Sequence, residues 1–387
     1  TESFKLGWRP VESLLIRGTF GTSFRAPNLR ELYLEDQSGF LNVFDPCYND
    51  EDSWDITNNV YFPAGDDREP EVLANCLANG VDPTLAYSNG FTSFSTEVAA
   101  GGALDLLAEE SESWSAGFAW EQPFTNAFGL SLSATYYEID VNNTIIEPSA
   151  QFIVNDCYNS LTGNSVFCSR ITRDMSDPSN PRILLLDRGF INREAEKARG
   201  VDVNLAFDDT WTVFERPIDV TWDVTANRQL ERSTLFIDDE GNEDTDTFQG
   251  EWGFADWTAR SGLRFDYDDW RVTWETRYIS SVQQDPDGVD DFSSAYIASD
   301  TCFGPPDDVL CRDYGDTENY FLHNLSLYYY GDQWTFGGGI RNVFNEKPPV
   351  VDGTEVLALN NTPIGYGYDI NGRVFFVNIG FNFAGGE

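Results

Sequence analysis

The chain has 387 residues and a formal net charge of −41, with lysine only at Lys5, Lys197 and Lys347. Phosphate contacts need clustered Lys and Arg, so no nucleic-acid partner is expected. No stretch approaches the roughly 18 apolar residues of a membrane-crossing helix, and the sole methionine, Met175, leads us to expect a processed or truncated C-terminal piece of a longer protein.

About eleven segments alternate with period two: 3–9, 12–25, 112–121, 127–141, 190–207, 217–230, 251–266, 270–282, 318–330, 333–343 and 368–383. The second carries Leu14, Ile16, Gly18, Phe20, Thr22 and Phe24 on one face and runs into GTSFRAPNLRELY at 21–33. Pro27 forces Ala26 out of helical geometry and ends the ladder, while Arg25 falls on the polar face. A long loop without alternation follows. In 217–230, Ile218, Val220, Trp222, Val224 and Ala226 oppose Asp219, Thr221, Asp223 and Thr225. In 251–266, Trp257, Ala259, Ser261, Leu263 and Phe265 oppose Thr258, Arg260, Gly262 and Arg264; in 270–282, Trp270, Val272, Trp274, Thr276 and Tyr278 oppose Arg271, Thr273, Glu275 and Arg277.

Such segments are strands buried on one side only. A soluble sandwich would show the same alternation. Three features favour a membrane barrel: charged residues recur in mid-strand on the polar face, aromatics gather near strand ends, and short turns (9–11, 266–269, 331–333) alternate with long loops. The expected fold class is therefore all-β: an antiparallel transmembrane β-barrel with long disulfide-bearing extracellular loops. Eleven strands are odd in number, so further strands are expected upstream, and residues 1–387 read as one C-terminal barrel portion.

The six cysteines fall in three local pairs, Cys47–Cys76, Cys157–Cys168 and Cys302–Cys311, each inside a long loop. Local pairs in even number indicate disulfides formed in an oxidising compartment. The alternatives are reduced thiols or a metal site, and zinc is disfavoured by the absence of any CxxC pair and by the single histidine, His323. His323 lies in phase with Phe321, Leu325 and Leu327 on an apolar strand face, as an interfacial residue and not a catalytic base. Gly337-Gly338-Gly339 lies inside a strand and marks a bend or close approach, not a phosphate loop. No enzymatic activity is expected.

Two loops are dense in oxygen ligands: Asp238, Asp239 and Glu240 in one, Asp285, Asp287 and Asp290 in the other. They form either a solvated acidic rim or a divalent-cation site; no cofactor is expected beyond calcium at these loops. Tyr33, Trp54, Tyr61, Phe62 and Tyr87 lie in the longest loop, where flat rings stack on a ligand or form the loop's own small core.

SFRAPNLRELY, with Arg25, Pro27, Asn28, Leu32 and Tyr33, resembles the phrase closing a mid-barrel strand in TonB-dependent outer-membrane receptors. Asp45-Pro46-Cys47 with Asn75-Cys76, the run Glu109 to Trp114, Cys157-Tyr158 with Phe167-Cys168, Gly200-Val201-Asp202 and Ile340 to Asn345 are similar to that family's later landmarks, in order along the chain. The resemblance implies a barrel of about 22 strands with a plugged lumen, an upstream plug, and an N-terminal segment contacting TonB. It further implies a place in the bacterial outer membrane among lipid and lipopolysaccharide. Energised uptake of a scarce, bulky nutrient would follow: an oligosaccharide, a siderophore–iron complex, cobalamin or a peptide. The alternatives are a passive porin or autotransporter-type barrel, and a secreted carbohydrate-binding β-protein.

Overall fold

A computed structural model describes residues 1–160, 165–237, 243–283, 317–351, 356–359 and 362–383. Eleven strands form one antiparallel sheet in chain order: β1 (Ser3–Val11), β2 (Leu14–Arg25), β3 (Glu109–Glu121), β4 (Phe128–Ile146), β5 (Ile191–Val213), β6 (Arg216–Ile237), β7 (Trp257–Tyr267), β8 (Trp270–Ile279), β9 (Tyr320–Tyr330), β10 (Trp334–Arg341) and β11 (Val374–Phe381). Every strand pairs with its sequence neighbours, so the connections are all hairpin-like. A short strand, Glu243–Thr247, pairs antiparallel with the loop end of β6, Ser233–Ile237, as a twelfth strand of the same sheet. No helix among the described residues is long and apolar enough to cross a membrane.

The register aligns the two faces from strand to strand. Ile16 lies opposite Phe118, Phe118 opposite Ala134, Leu205 opposite both Leu132 and Val224, and Leu263 opposite both Trp222 and Trp274. One residue along, Arg17 meets Gly117, Asn204 meets Ser133 and Thr225, and Arg264 meets Thr221 and Thr273. The period-two pattern thus becomes one continuous apolar face and one wet face. Aromatics are frequent along the apolar face, at its ends and in mid-strand. Trp270 packs on Tyr329 and Trp334 on Phe381 near the short turns, Tyr278 packs on Phe321 near the long loops, and Trp114 packs on Tyr136 in mid-strand. The aromatics beside the short turns match one boundary of a bilayer, while Trp114, Trp222 and Trp274 continue the aromatic content along mid-strand.

The short connections occupy one end. Phe214 and Glu215 between β5 and β6 take φ of 51° and 64°, the left-handed pair a tight two-residue turn requires. β5 and β6, with 23 and 22 residues, exceed the roughly 9–11 needed to span a bilayer and project past it. On the wet face, a side chain at Gly200 would meet the Tyr137 hydroxyl at 2.4 Å, and one at Gly337 the Tyr328 ring at 2.1 Å. Each tyrosine lies flat across its glycine, and its hydroxyl accepts from the next strand over: from Asn227 at 3.1 Å for Tyr137 and from Asn378 at 2.9 Å for Tyr328.

All five long connections leave from the opposite end, and both buried cores lie there. The segment 26–108 is not an unstructured excursion. It holds helix α1 (Leu29–Tyr33), strand Gln37–Phe44, helix α2 (Pro70–Ala78) and strand Ser93–Ala100. Helix α3 (Ala150–Asn159) and strands Ile171–Arg173 and Ile183–Asp187 come from the second loop. The strands of both loops join in one four-stranded sheet, with Ser93–Ala100 parallel to Ile183–Asp187. Two expected strands start late: 251–266 becomes regular only at Trp257, and 368–383 only at Val374, after a turn in which Gly372 takes a φ of 69°. Gly250 and Gly253 turn the chain with φ of 86° and 91°, and Trp252 enters the second core beside Tyr366 and Tyr368.

The two faces give a direct expectation. Leu205→Arg places a cation on the apolar face near mid-depth and should cost roughly 2–4 kcal/mol of folding free energy in lipid vesicles. The adjacent Asn204→Arg, on the wet face, should stay within about 0.5 kcal/mol of wild type. Urea titrations of vesicle-folded protein read the difference, and equal costs would contradict the assignment of faces.

Candidate functional site

The end bearing the long loops combines three arrangements. The first explains the motif at 21–33. Arg25, the last residue of β2, donates to Glu109 Oε1 at 2.7 Å and to Glu31 Oε1 at 2.8 Å. Asn28 caps α1 by accepting from the Arg30 and Glu31 amides at 2.9 and 3.0 Å, and Glu31 Oε2 accepts from the Asn28 amide at 2.7 Å, completing a capping box. Glu109 Oε1 also accepts from the Ile145 amide at 2.9 Å. One guanidinium therefore ties β2, α1, β3 and β4 at the point where the barrel wall gives way to loops. Pro27 sits at the bend. Leu32 is half-buried, and Tyr33 at the end of α1 is exposed.

The second arrangement is a folded cap made from the loops 26–108 and 147–190. Its core includes Val43, Tyr48, Val98, Ile153, Val154, Tyr158 and Leu186. Cys47 is joined to Cys76 and Cys157 to Cys168, with Cα separations of 5.7 and 4.8 Å. Cross-links of this kind contribute roughly 2–4 kcal/mol each. Neither bridge links the two loops. That task falls to Arg173, which donates to both oxygens of Asp45 at 2.6 and 2.8 Å, with side chains only 5% and 1% exposed. Arg173 also donates to the Tyr158 hydroxyl at 2.8 Å and the Pro181 carbonyl at 2.8 Å. Asn75 spans the same seam, donating to the Tyr158 carbonyl at 2.8 Å, and Gln151 brackets Phe44 through both its amide and its carbonyl. Burial, reinforced by Asp45, pushes the Tyr48 hydroxyl up to about 12.

Of the aromatics expected to serve as ligand platforms or loop core, Trp54 and Tyr87 stack face to face at 4.7 Å, with Trp54 buried. Tyr61 pairs across a two-residue ladder with Trp54 and donates its hydroxyl to Asp66 at 2.7 Å. Tyr33 and Phe62 are exposed, and among the described residues neither joins the stack. Cys302, Cys311 and the acidic residues Asp238, Asp239, Glu240, Asp285, Asp287 and Asp290 lie outside the described residues.

The third arrangement is a cavity of about 580 Å³ near the loop end of the wet face. Wall residues Asn227, Gln229, Arg260 and Arg277 line it together with Tyr366 and Tyr368 from the connection between β10 and β11. Arg260 and Arg277 are direct register partners. Both were visible as polar-face positions; their pairing follows once the hairpin turn at Asp268 is fixed. A side chain at Gly367 would lie 1.8 Å from the Arg277 guanidinium, so the loop backbone passes directly over that group. The φ of 93° at Gly367 adds a second reason for glycine there.

The family model described as TonB dependent receptor-like, beta-barrel matches residues 1–343. Among solved structures, a mutant of the ferric enterobactin receptor PfeA from Pseudomonas aeruginosa, in complex with enterobactin, is similar at 13% identity and a TM-score of 0.52, covering 98% of this chain and 40% of that one. The siderophore receptor PirA from Acinetobacter baumannii is similar with the same identity, TM-score and coverage. This chain thus spans about two fifths of those receptors' length. No curated protein matches it in sequence.

Two predictions concern the cap. Arg173→Met leaves Asp45 buried without its partner and should cost about 3–5 kcal/mol, confined to the cap. Hydrogen exchange should lose protection across both 37–100 and 150–187 while the barrel ladders keep theirs. Asp66 is held down at about 2, first by hydrogen bonds from Arg68, against desolvation. Its folded value lies below the usual carboxylate range, so its stabilisation is complete above about pH 4 and is lost as the pH falls through about 2. Pulse-labelled exchange after incubation at each pH should show 61–68 protected at pH 4 and open near pH 2. In Arg68→Met the opening should move up towards pH 4.

Proposed function

Since this chain belongs to the TonB-dependent receptor β-barrel family, we propose that it forms wall and mouth of an outer-membrane receptor that captures a scarce, bulky nutrient and imports it with TonB-coupled energy. One observation carries the reading: folded structure is concentrated at one end only. A sheet with a lipid-type face and a wet face needs no elaborate loops to stand in a membrane. Here two loops are built into a cap with its own core, two disulfides and a buried ion pair. Such rigidity suits a binding surface, where pre-ordering lowers the entropy lost on capture.

The nutrient class suggested by the structural neighbours is a metal–siderophore complex, since both are siderophore receptors. Oligosaccharides fit the exposed rings of Tyr33 and Phe62 less directly, because the other aromatics are tied within the loop. In this reading the plug and the TonB-contacting segment belong to the rest of the receptor, and lipopolysaccharide surrounds the apolar face.

Uptake by cells carrying the full-length receptor tests the proposal. A panel of radiolabelled ferric siderophores should include at least one whose accumulation requires both this receptor and TonB, and Arg173→Met should reduce capture at limiting concentration by about tenfold or more. Accumulation that is linear in concentration and indifferent to TonB would mark a passive barrel and overturn the reading.

A further inference from the structure

Gly337-Gly338-Gly339 in β10 is a motif that the receptor reading leaves unused. Alternation turns Gly337 and Gly339 to the wet face and Gly338 to the apolar face. Close approach explains the outer two: a side chain at Gly337 would run into the Tyr328 ring, and one at Gly339 into the Leu325 carbonyl and the Phe376 ring. Gly338 has a different consequence. It shares a row with Val272, Leu327 and Val377, so a course of aliphatic side chains is broken at one place. The gap is an open groove of about 370 Å³ on the apolar face, lined by Trp270, Leu327, Tyr329, Phe336, Gly337 and Gly338. The Tyr328 ring lies across Gly337 on the wet side and backs the floor of the groove.

A groove lined by apolar side chains gains from whatever fits it, because a gap forfeits dispersion contacts on its lining. In a bilayer such packing is what drives association, since hydrocarbon tails are as apolar as the wall itself. Trp270, Tyr329 and Phe336 form the row beside the short turns, with Trp334 stacked on Phe336 at 5.9 Å. The groove therefore opens at headgroup level and runs towards mid-depth at Leu327 and Gly338. Its mouth has a definite sign. The turns 266–269 and 331–333 carry Asp266, Asp268, Asp269 and Asp332 and no Lys or Arg. The arginines beside them are engaged, Arg264 and Arg271 with Asp266 and Arg216 with Asp268. Asp269 and Asp332 stand exposed at the two turns that flank the end of β9. Asp269 directly precedes Trp270, and its carbonyl accepts from the Tyr330 amide at 2.8 Å, which fixes the turn against the strand. Carboxylates at this level attract an ammonium and repel an anionic headgroup.

We propose that the groove at Gly338 holds one acyl chain of a phospholipid whose headgroup carries an ammonium, seated at the short-turn end of the wall with Asp269 and Asp332 at its head. The occupant is a resident lipid on the outside of the wall, not the imported nutrient. The inference rests on the apolar face meeting lipid, as in the receptor reading above, and adds a site and a ligand class to that face. A side chain at Gly338 would stand 3.1 Å from the Phe376 carbonyl oxygen, so the groove is filled without backbone strain only from Leu327, which is 45% exposed.

Native mass spectrometry of the full-length receptor tests it, with detergent-purified protein titrated with an equimolar mixture of phosphatidylethanolamine and phosphatidylglycerol bearing the same chains. Wild type should retain one phosphatidylethanolamine in preference to phosphatidylglycerol by about fivefold, the scale of one interfacial charge contact. Leu327→Trp fills the groove and should weaken retention by about tenfold or more. Asp269→Asn/Asp332→Asn should still hold one lipid but lose the preference. Leu132→Trp, on the same face away from the groove, should behave as wild type. Hydrogen-exchange protection of the ladders checks that each variant is folded. No retained lipid in wild type, a preference for phosphatidylglycerol, or equal losses in Leu327→Trp and Leu132→Trp would overturn the inference. A receptor dimer that forms in place of the bound lipid and separates in Leu327→Trp would also overturn it. TonB-dependent uptake is scored separately: import by a wild type that holds no lipid removes only this site, whereas a retained lipid without TonB-dependent import removes the receptor reading.

Discussion

The controlling constraint is that a sheet facing lipid on one side and water on the other has no interior. Each strand satisfies its backbone donors and acceptors through its neighbours, and every second side chain faces a medium in which apolar groups are already at home. The wall gains cohesion from ladders, cross-strand pairs and close joints such as Tyr137 over Gly200. It does not gain a hydrophobic core. Both cores among the described residues therefore lie at or beyond the loop ends of the wall strands.

That displacement explains how the cap is built. A loop body of modest size buries too little apolar surface to be stable on hydrophobicity alone. Disulfides within each loop restrict the unfolded chain, and Arg173 with Asp45 fixes one loop against the other. A buried pair of this kind adds little net stability compared with an apolar contact, but it is costly to break and tolerates few alternative arrangements. Its role here is orientation. Arg25 does similar work one layer down, where a single guanidinium sets the angle at which the chain leaves the wall.

Much of the wall was legible because its physics is local. Alternation located all eleven strands, and short turns against long loops located the two ends. Where alternation misled, a local conformational signal had been overlooked. Glu251 to Asp256 keeps the phase of a strand, but Gly250 and Gly253 take positive φ and send Trp252 into a core. The cap was opaque for a different reason. Strand Gln37–Phe44 makes sense only beside Ser93–Ala100, and Asp45 only beside Arg173, 128 positions later. Nothing in the neighbourhood of either residue announces the other. The capping box at Asn28 and Glu31 has a recognisable spacing, yet the exit signal is legible only at Arg25-Ala26-Pro27, and the helix that starts behind it goes unread.

The two faces are the foundation of this account, and the most direct measurement of them is spin-label accessibility along one hairpin. Single labels would be placed in turn at positions 258–266 and 271–278 of the receptor reconstituted in lipid. Collisions with oxygen, which concentrates in lipid, should peak at Ala259, Ser261, Leu263, Val272 and Trp274, and collisions with a water-soluble nickel chelate at Arg260, Gly262, Thr273 and Glu275, the two profiles alternating out of phase. Profiles that rise and fall together, or show no period of two, would mean that neither face meets lipid, and the receptor reading would fall with them.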